Sequence, residues 1–175
     1  GNDPNGDPLR YRVDVRAEGR DAWLTIGEDL ESSAFTWDTR SMPDGRYRLR
    51  VIANDALGNA VGEEDSSVTT SEEFPIDNTP PALQEFRADP GTGSISISGR
   101  AEDAANPLTR IEVSVDDQDW RVVSPEGGMA DDRRLSFKAT LPVDRTGEHT
   151  VSLRVVDLTG NAAQRATRVT VTRMR

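Results

Sequence analysis

One stretch of this sequence occurs twice, and it limits what the chain can fold into. The first copy, residues 45–60, reads GRYRLRVIANDALGNA; the second, residues 147–162, reads GEHTVSLRVVDLTGNA. They align without a gap at a constant offset of 102 residues. Tyr47, Leu49, Val51, Ala53 and Asp55 alternate in the first, and His149, Val151, Leu153, Val155 and Asp157 take the same places in the second. Side chains two apart lie on one face of a β-strand, so each copy predicts a strand with one apolar face. Both copies close on Gly-Asn-Ala, whose first two residues tolerate the positive φ of a turn. The expected architecture is all-β: two tandem antiparallel β-sandwiches, one around each strand.

The length of 175 residues suits two such domains, since a sandwich takes about 100 residues. The formal net charge of -10 argues against nucleic acid or an anionic membrane as partner, because both select clustered positive charge. Arginine supplies 20 of the 21 basic residues, with Lys138 the exception; this reads as a GC-rich coding sequence rather than a binding patch. With no cysteine, disulfides and thiol chemistry are excluded. Membrane insertion is not expected, for no apolar run is long enough to span a bilayer.

Along the chain, residues 1–7 (GNDPNGD) are turn chemistry. Strands are expected over residues 9–16, 22–26, 34–38 and 45–55, and over 67–76, where Glu72 and Glu73 interrupt the alternation as an edge strand would. Residues 77–81 (DNTPP) mark the boundary, a short joint stiffened by two prolines. The domains are therefore 1–78 and 79–175. The second predicts seven strands, over 82–88, 94–101, 108–115, 120–123, 134–141, 147–157 and 166–171. The halves match further: Pro8-Leu9 with Pro107-Leu108, Trp23 with Trp120, and Phe35 and Trp37 with Leu135 and Phe137.

The run Tyr47-x-Leu49-x-Val51-x-Ala53, followed by Asp55 and Gly58-Asn59, resembles strand F of fibronectin type III domains. Residues 3–11 (DPNGDPLRY) resemble the loop entering strand C in bacterial members, and residues 77–81 resemble linkers between serial immunoglobulin-like modules of bacterial surface and secreted proteins. The resemblance implies a non-catalytic structural or interaction module, the C-terminal tandem region of a larger extracytoplasmic bacterial protein. His149 departs from the family tyrosine, so a tyrosine-corner hydrogen bond is not assured there. On the family's lettering, residues 1–78 lack strands A and B. The expectation is that these strands lie upstream, leaving an apolar face under Tyr11, Val13, Trp37, Leu49 and Val51 open. A protein partner, the preceding part of the same polypeptide or a strand-swapped homodimer would complete it. The alternative is a smaller five-stranded sandwich, complete as it stands.

Candidate chemistry is sparse. His149 is the sole histidine and lies in phase with core residues, which points to packing rather than general base catalysis. Asp116, Asp117 and Asp119, and the pair Asp131-Asp132, fall where turns favour aspartate, so no enzyme is expected. The sharpest metal idea is calcium on Asp3, Asn5 and Asp7, alternate oxygen donors with Gly6 between the last two. No glutamate follows at the distance an EF-hand needs; that place holds Asp14. A second oxygen-rich set is Asp77-Asn78, Glu102-Asp103 and Asp157. The plainer reading makes all of these turn residues and solvated acids, with no cofactor. A carbohydrate-binding accessory module is the other alternative: it needs an exposed Trp23 or Trp120, whereas a tryptophan here usually covers the core.

Overall fold

The computed structural model describes residues 9–55 and 66–172. It divides into two compact units, Gly1–Asn78 and Thr79–Arg175.

Five strands occur among the described residues of the first unit: β1 (Arg10–Ala17), β2 (Leu24–Leu30), β3 (Gly45–Asn54), β4 (Ser66–Thr70) and β5 (Phe74–Ile76). They form one antiparallel sheet in the order β2-β1-β3, with β4 and β5 in succession along the far side of β3. The register sets Tyr11 opposite Ala53, Val13 opposite Val51, Val15 opposite Leu49 and Ala17 opposite Tyr47. Directly opposed residues share a face, so one side of the sheet is apolar. The other side carries Arg10, Arg12, Asp14 and Arg16 from β1, and Arg46, Arg48 and Arg50 from β3. Val15, Tyr47 and Ile76 form a small buried cluster, against which Trp37, Met42, Leu49 and Phe74 pack.

The expected strand over 34–38 does not form; the chain there is irregular and leads into a short 3-10 turn at Thr39–Ser41. Phe35 and Trp37 alternate as a strand would, but no neighbouring strand among the described residues offers them a ladder. A lone strand gains no hydrogen bonds to offset its ordering entropy. The expected strand over 67–76 is split into β4 and β5. Between them Ser71 breaks the ladder: its amide donates to the Leu49 carbonyl, while its hydroxyl accepts from the Leu49 amide.

The described residues of the second unit form seven strands: β6 (Ala82–Gly91), β7 (Ser94–Glu102), β8 (Leu108–Val115), β9 (Arg121–Val122), β10 (Arg134–Pro142), β11 (Gly147–Asp157) and β12 (Ala162–Val171). They make two sheets, β10-β7-β6 and β12-β11-β8-β9. Ile95, Ile97 and Phe137 from one sheet and Ile111, Val113, Val151, Leu153 and Val155 from the other form the sealed core of a β-sandwich. The connection between the strands expected over 82–88 and 94–101 is shorter than those bounds imply: β6 runs to Gly91, and the reversal falls on Thr92-Gly93, with Gly93 at φ 65.

The sheet of the first unit repeats the four-stranded sheet of the second. The order β2-β1-β3 repeats β9-β8-β11, and β4 with β5 stands where β12 does. The register agrees as well, with Val13 opposite Val51 and Val113 opposite Leu153.

Candidate functional site

Asp14 sits on the polar face of β1 with no exposed surface. Its Oδ1 accepts from Arg12 Nε at 2.8 Å and from Thr25 Oγ1 at 2.8 Å. Its Oδ2 accepts from Arg50 Nη2 at 2.6 Å and Nε at 3.1 Å. Burial pushes the carboxyl up, but the hydrogen bonds from Arg12, Arg50 and Thr25 outweigh it and hold it down at about 2. Arg50 also lies over the Trp23 ring, 4.5 Å from its centroid, and Arg16 lies over the same ring at 4.7 Å. Nothing in the sequence pattern pointed to this centre, because its members come from three strands and their pairing depends on register. The one available signal was Asp14 interrupting the arginines at alternate positions of β1.

In the second unit Trp120 carries the Arg154 guanidinium at 4.4 Å. Arg154 in turn pairs with the buried Glu112. Both tryptophans are half-buried. Neither belongs to a buried core cluster, so neither is the core cover expected of it, and each ring carries at least one arginine over it.

His149 is 1% exposed. Its Nε2 lies 3.1 Å from the Arg145 carbonyl, and its Nδ1 lies 2.8 Å from Asp116 Oδ2. A carbonyl only accepts, so the first of these bonds needs the proton on Nε2. Asp116 Oδ1 accepts from the Thr150 amide, and Arg145 Nη2 reaches Oδ2. Burial pushes the Asp116 carboxyl up, while Thr150, His149 and Arg145 bring it below the usual range. A pocket of about 310 Å³ opens beside this pair, lined by Val113, Val115, Asp119, Leu141 and Asp144 among others. No hydroxyl or thiol side chain is among its lining residues, so His149 has no nucleophile there to activate.

Asp116 and Asp117 both hold positive φ, 51 and 58, in the turn after β8. Asp132 Oδ1 accepts from the Arg133 amide. Asp116 and Asp117 thus sit in a turn, while the Asp116 carboxylate itself reaches Thr150, His149 and Arg145.

Asp103 and Asp157 are buried in the second unit, and each offers a carboxylate oxygen within 4.8 Å of the other's. Asp103 Oδ1 accepts from the Ala105 and Asn106 amides. Asp157 Oδ1 accepts from the Asn161 amide and Thr159 Oγ1, and its Oδ2 from Asn161 Nδ2. Glu102 is drawn away to Arg134 and Gln84. In the first unit Asp77 is buried, and Asn78 bonds the carbonyls of Thr39 and Met42. Asp3, Asn5 and Asp7 lie outside the described residues.

No protein-family model matches the sequence, and no curated protein sequence does. Three solved structures are similar in fold. The PKD1 domain of Vibrio anguillarum Epp is 18% identical and aligns over 55% of this chain and 99% of its own, with a TM-score of 0.43. The fibronectin(III)-like modules of Clostridium thermocellum CbhA are 16% identical over 96% of this chain and 80% of their own, at 0.44. Dimeric latent PorU from Porphyromonas gingivalis is 14% identical over 94% of this chain, which spans 20% of PorU, at 0.49. The strand order carries the assignment by itself: three strands, β10-β7-β6, facing four, β12-β11-β8-β9, make the second unit an immunoglobulin-like β-sandwich of fibronectin type III topology, and the first unit repeats its four-stranded side.

Proposed function

We propose that this chain is a non-catalytic structural and interaction region of a larger extracytoplasmic bacterial protein, binding through its strands rather than turning over a substrate. The observation that carries this is the fate of His149. The sole histidine is sealed in the fold and spends both ring nitrogens on Asp116 and a backbone carbonyl. The Asp116 carboxylate is likewise held by Thr150, His149 and Arg145. No helix among the described residues is long and apolar enough to cross a membrane. The likeness of residues 77–81 to linkers of bacterial surface proteins supports the compartment. The exposed Val51 on the first unit's sheet supports a polypeptide as partner, either another protein or another part of the same polypeptide. An assay of the purified chain against ester, glycoside, peptide and phosphate substrates tests the reading. No turnover above background is expected; activity that disappears in His149→Phe while the fold persists would overturn it.

A further inference from the structure

The sandwich of the second unit is open on one side, and its local structure shows why. β9 is two residues long and pairs with β8 only at Glu112 and Val113. Past that point the chain turns through Asp116 and Asp117, so Val115 has no strand beyond it on the β9 side among the described residues. The gap is the cavity of about 310 Å³, lined by Val113 and Val115 of β8 and by Leu141 of β10. Val113 and Leu141 belong to the buried core, so its floor is apolar. Small-molecule sites run from about 300 to 1,000 Å³, which places this one at the small end.

The polar side chains around the cavity divide into two sets. His149 and Asp116 are satisfied, the histidine by Asp116 and the Arg145 carbonyl, the carboxylate by Thr150, His149 and Arg145. Asp119, Arg121 and Asp144 are exposed at the mouth, and their side chains make no hydrogen bond or ion pair among the described residues. Arg121 is the informative member. The register sets it opposite Val113, so its side chain projects from the core-facing side of an edge strand. An inward-pointing charge there can guard the edge against pairing with another chain. An edge guard, however, has no need of two carboxylates around the same cavity, neither of which it pairs with.

We propose that this cavity binds a free α-amino acid with a branched aliphatic side chain, such as leucine. Arg121 takes its carboxylate, Asp119 and Asp144 take its ammonium, and its side chain rests on Val113, Val115 and Leu141. The planar guanidinium matches a carboxylate with two parallel hydrogen bonds. Polar side chains are rejected, because His149 and Asp116 have already spent their bonding groups and a polar atom on this floor would stay unpaired. The site goes beyond the interaction role proposed above and involves no bond-breaking step.

Calorimetric titration of the 175-residue chain with leucine tests this. One-site, saturable binding is expected, with a Kd on the order of 0.1 mM. Leucinamide, which lacks the carboxylate, 4-methylpentanoate, which lacks the ammonium, and serine, which lacks the apolar chain, should each bind at least about tenfold more weakly. Arg121→Gln should weaken leucine to the level of leucinamide and so erase the discrimination between the two, while the melting of the second unit stays unchanged. Asp119→Asn combined with Asp144→Asn should likewise erase the discrimination between leucine and 4-methylpentanoate. Three outcomes would overturn the proposal: no saturable binding of leucine up to about 10 mM; leucinamide, 4-methylpentanoate or serine binding as tightly as leucine; or an Arg121→Gln chain that melts normally and still prefers leucine to leucinamide, which would leave Arg121 as an edge guard. Should a variant fail to fold, the ranking of the four ligands on the unmodified chain decides by itself. None of these outcomes bears on the absence of turnover, so the proposal can fail while the non-catalytic reading stands.

Discussion

His149 Nε2 meets the carbonyl of Arg145, four residues before it, as the Tyr47 hydroxyl meets the carbonyl of Pro43, four residues before it, at 2.7 Å. The two residues occupy the same place in the repeat and reach the same backbone position with different chemistry. Histidine thus keeps the corner bond that the family resemblance left in question, and adds a contact to Asp116 that tyrosine cannot make. Tyr47→Phe should cost the first unit about 1 kcal/mol, the usual worth of one such bond. His149→Phe should cost the second unit more, about 2–3 kcal/mol, because it also strips a partner from the Asp116 carboxylate. Urea unfolding of each variant, read with probes placed in each unit, checks the order. Equal losses would mean that the Asp116 contact contributes nothing.

Asp14 makes the stability of the first unit depend on pH. Its carboxyl is held at about 2, against 3.8 when free. A depressed folded-state value gives stability that is present above the unfolded value and is lost as pH falls through the folded one. The urea midpoint of the first unit should therefore fall as pH drops from about 4 towards 2. Asp14→Asn should flatten that dependence and cost about 2–3 kcal/mol at neutral pH, since Arg12 and Arg50 would lose a buried countercharge. The second unit, whose Asp116 is lowered by its own partners, should keep its acid sensitivity in the same variant. A first unit with an unchanged acid profile in Asp14→Asn would place the sensitivity elsewhere.

The strands of the repeat were legible because alternation reports directly which side chains face the core. Tyr47 to Asp55 and His149 to Asp157 needed no tertiary information. Residues 34–38 show the limit of that signal. Phe35 and Trp37 alternate correctly, yet strand formation depends on a hydrogen-bonding neighbour that alternation does not encode. The Asp14 centre was hidden for a related reason: Asp14 and Arg50 are 36 residues apart, and only the register of β1 on β3 brings them together. The tryptophans were legible as a matched pair. Their arginine neighbours were not, because each depends on which face of a strand lies beside the ring.

Gly99 lies in the middle of β7, where two elements converge on it. A Cβ there would stand 2.2 Å from the Glu85 carbonyl oxygen and 2.5 Å from Phe137 Cζ. The first obstacle is backbone, so the strain cannot be relieved by a rotamer change. Gly99→Ala should destabilise the second unit by about 3 kcal/mol or more. Gly19→Ala, with nothing within 4 Å of its Cβ but a φ of 70, should cost only about 1 kcal/mol, from backbone strain. Thermal melts of the two variants compare these directly. A small shift in Gly99→Ala would show that β6 can move away from β7.

Calcium can be tested at Asp103 and Asp157, where two buried carboxylates approach each other. Neither pairs with an arginine or lysine among the described residues, which is the condition that favours a cation. Against it, the Ala105, Asn106 and Asn161 amides, the Thr159 hydroxyl and the Asn161 side chain already donate to three of their four oxygens. Calcium takes 6–8 oxygen ligands, roughly, and would have to compete with these donors for the same lone pairs. The expected outcome is a melting temperature unchanged by millimolar Ca²⁺ and by chelator. A rise of several degrees with Ca²⁺, lost in Asp157→Asn, would instead assign these carboxylates to a metal and make their hydrogen bonds the second layer around it.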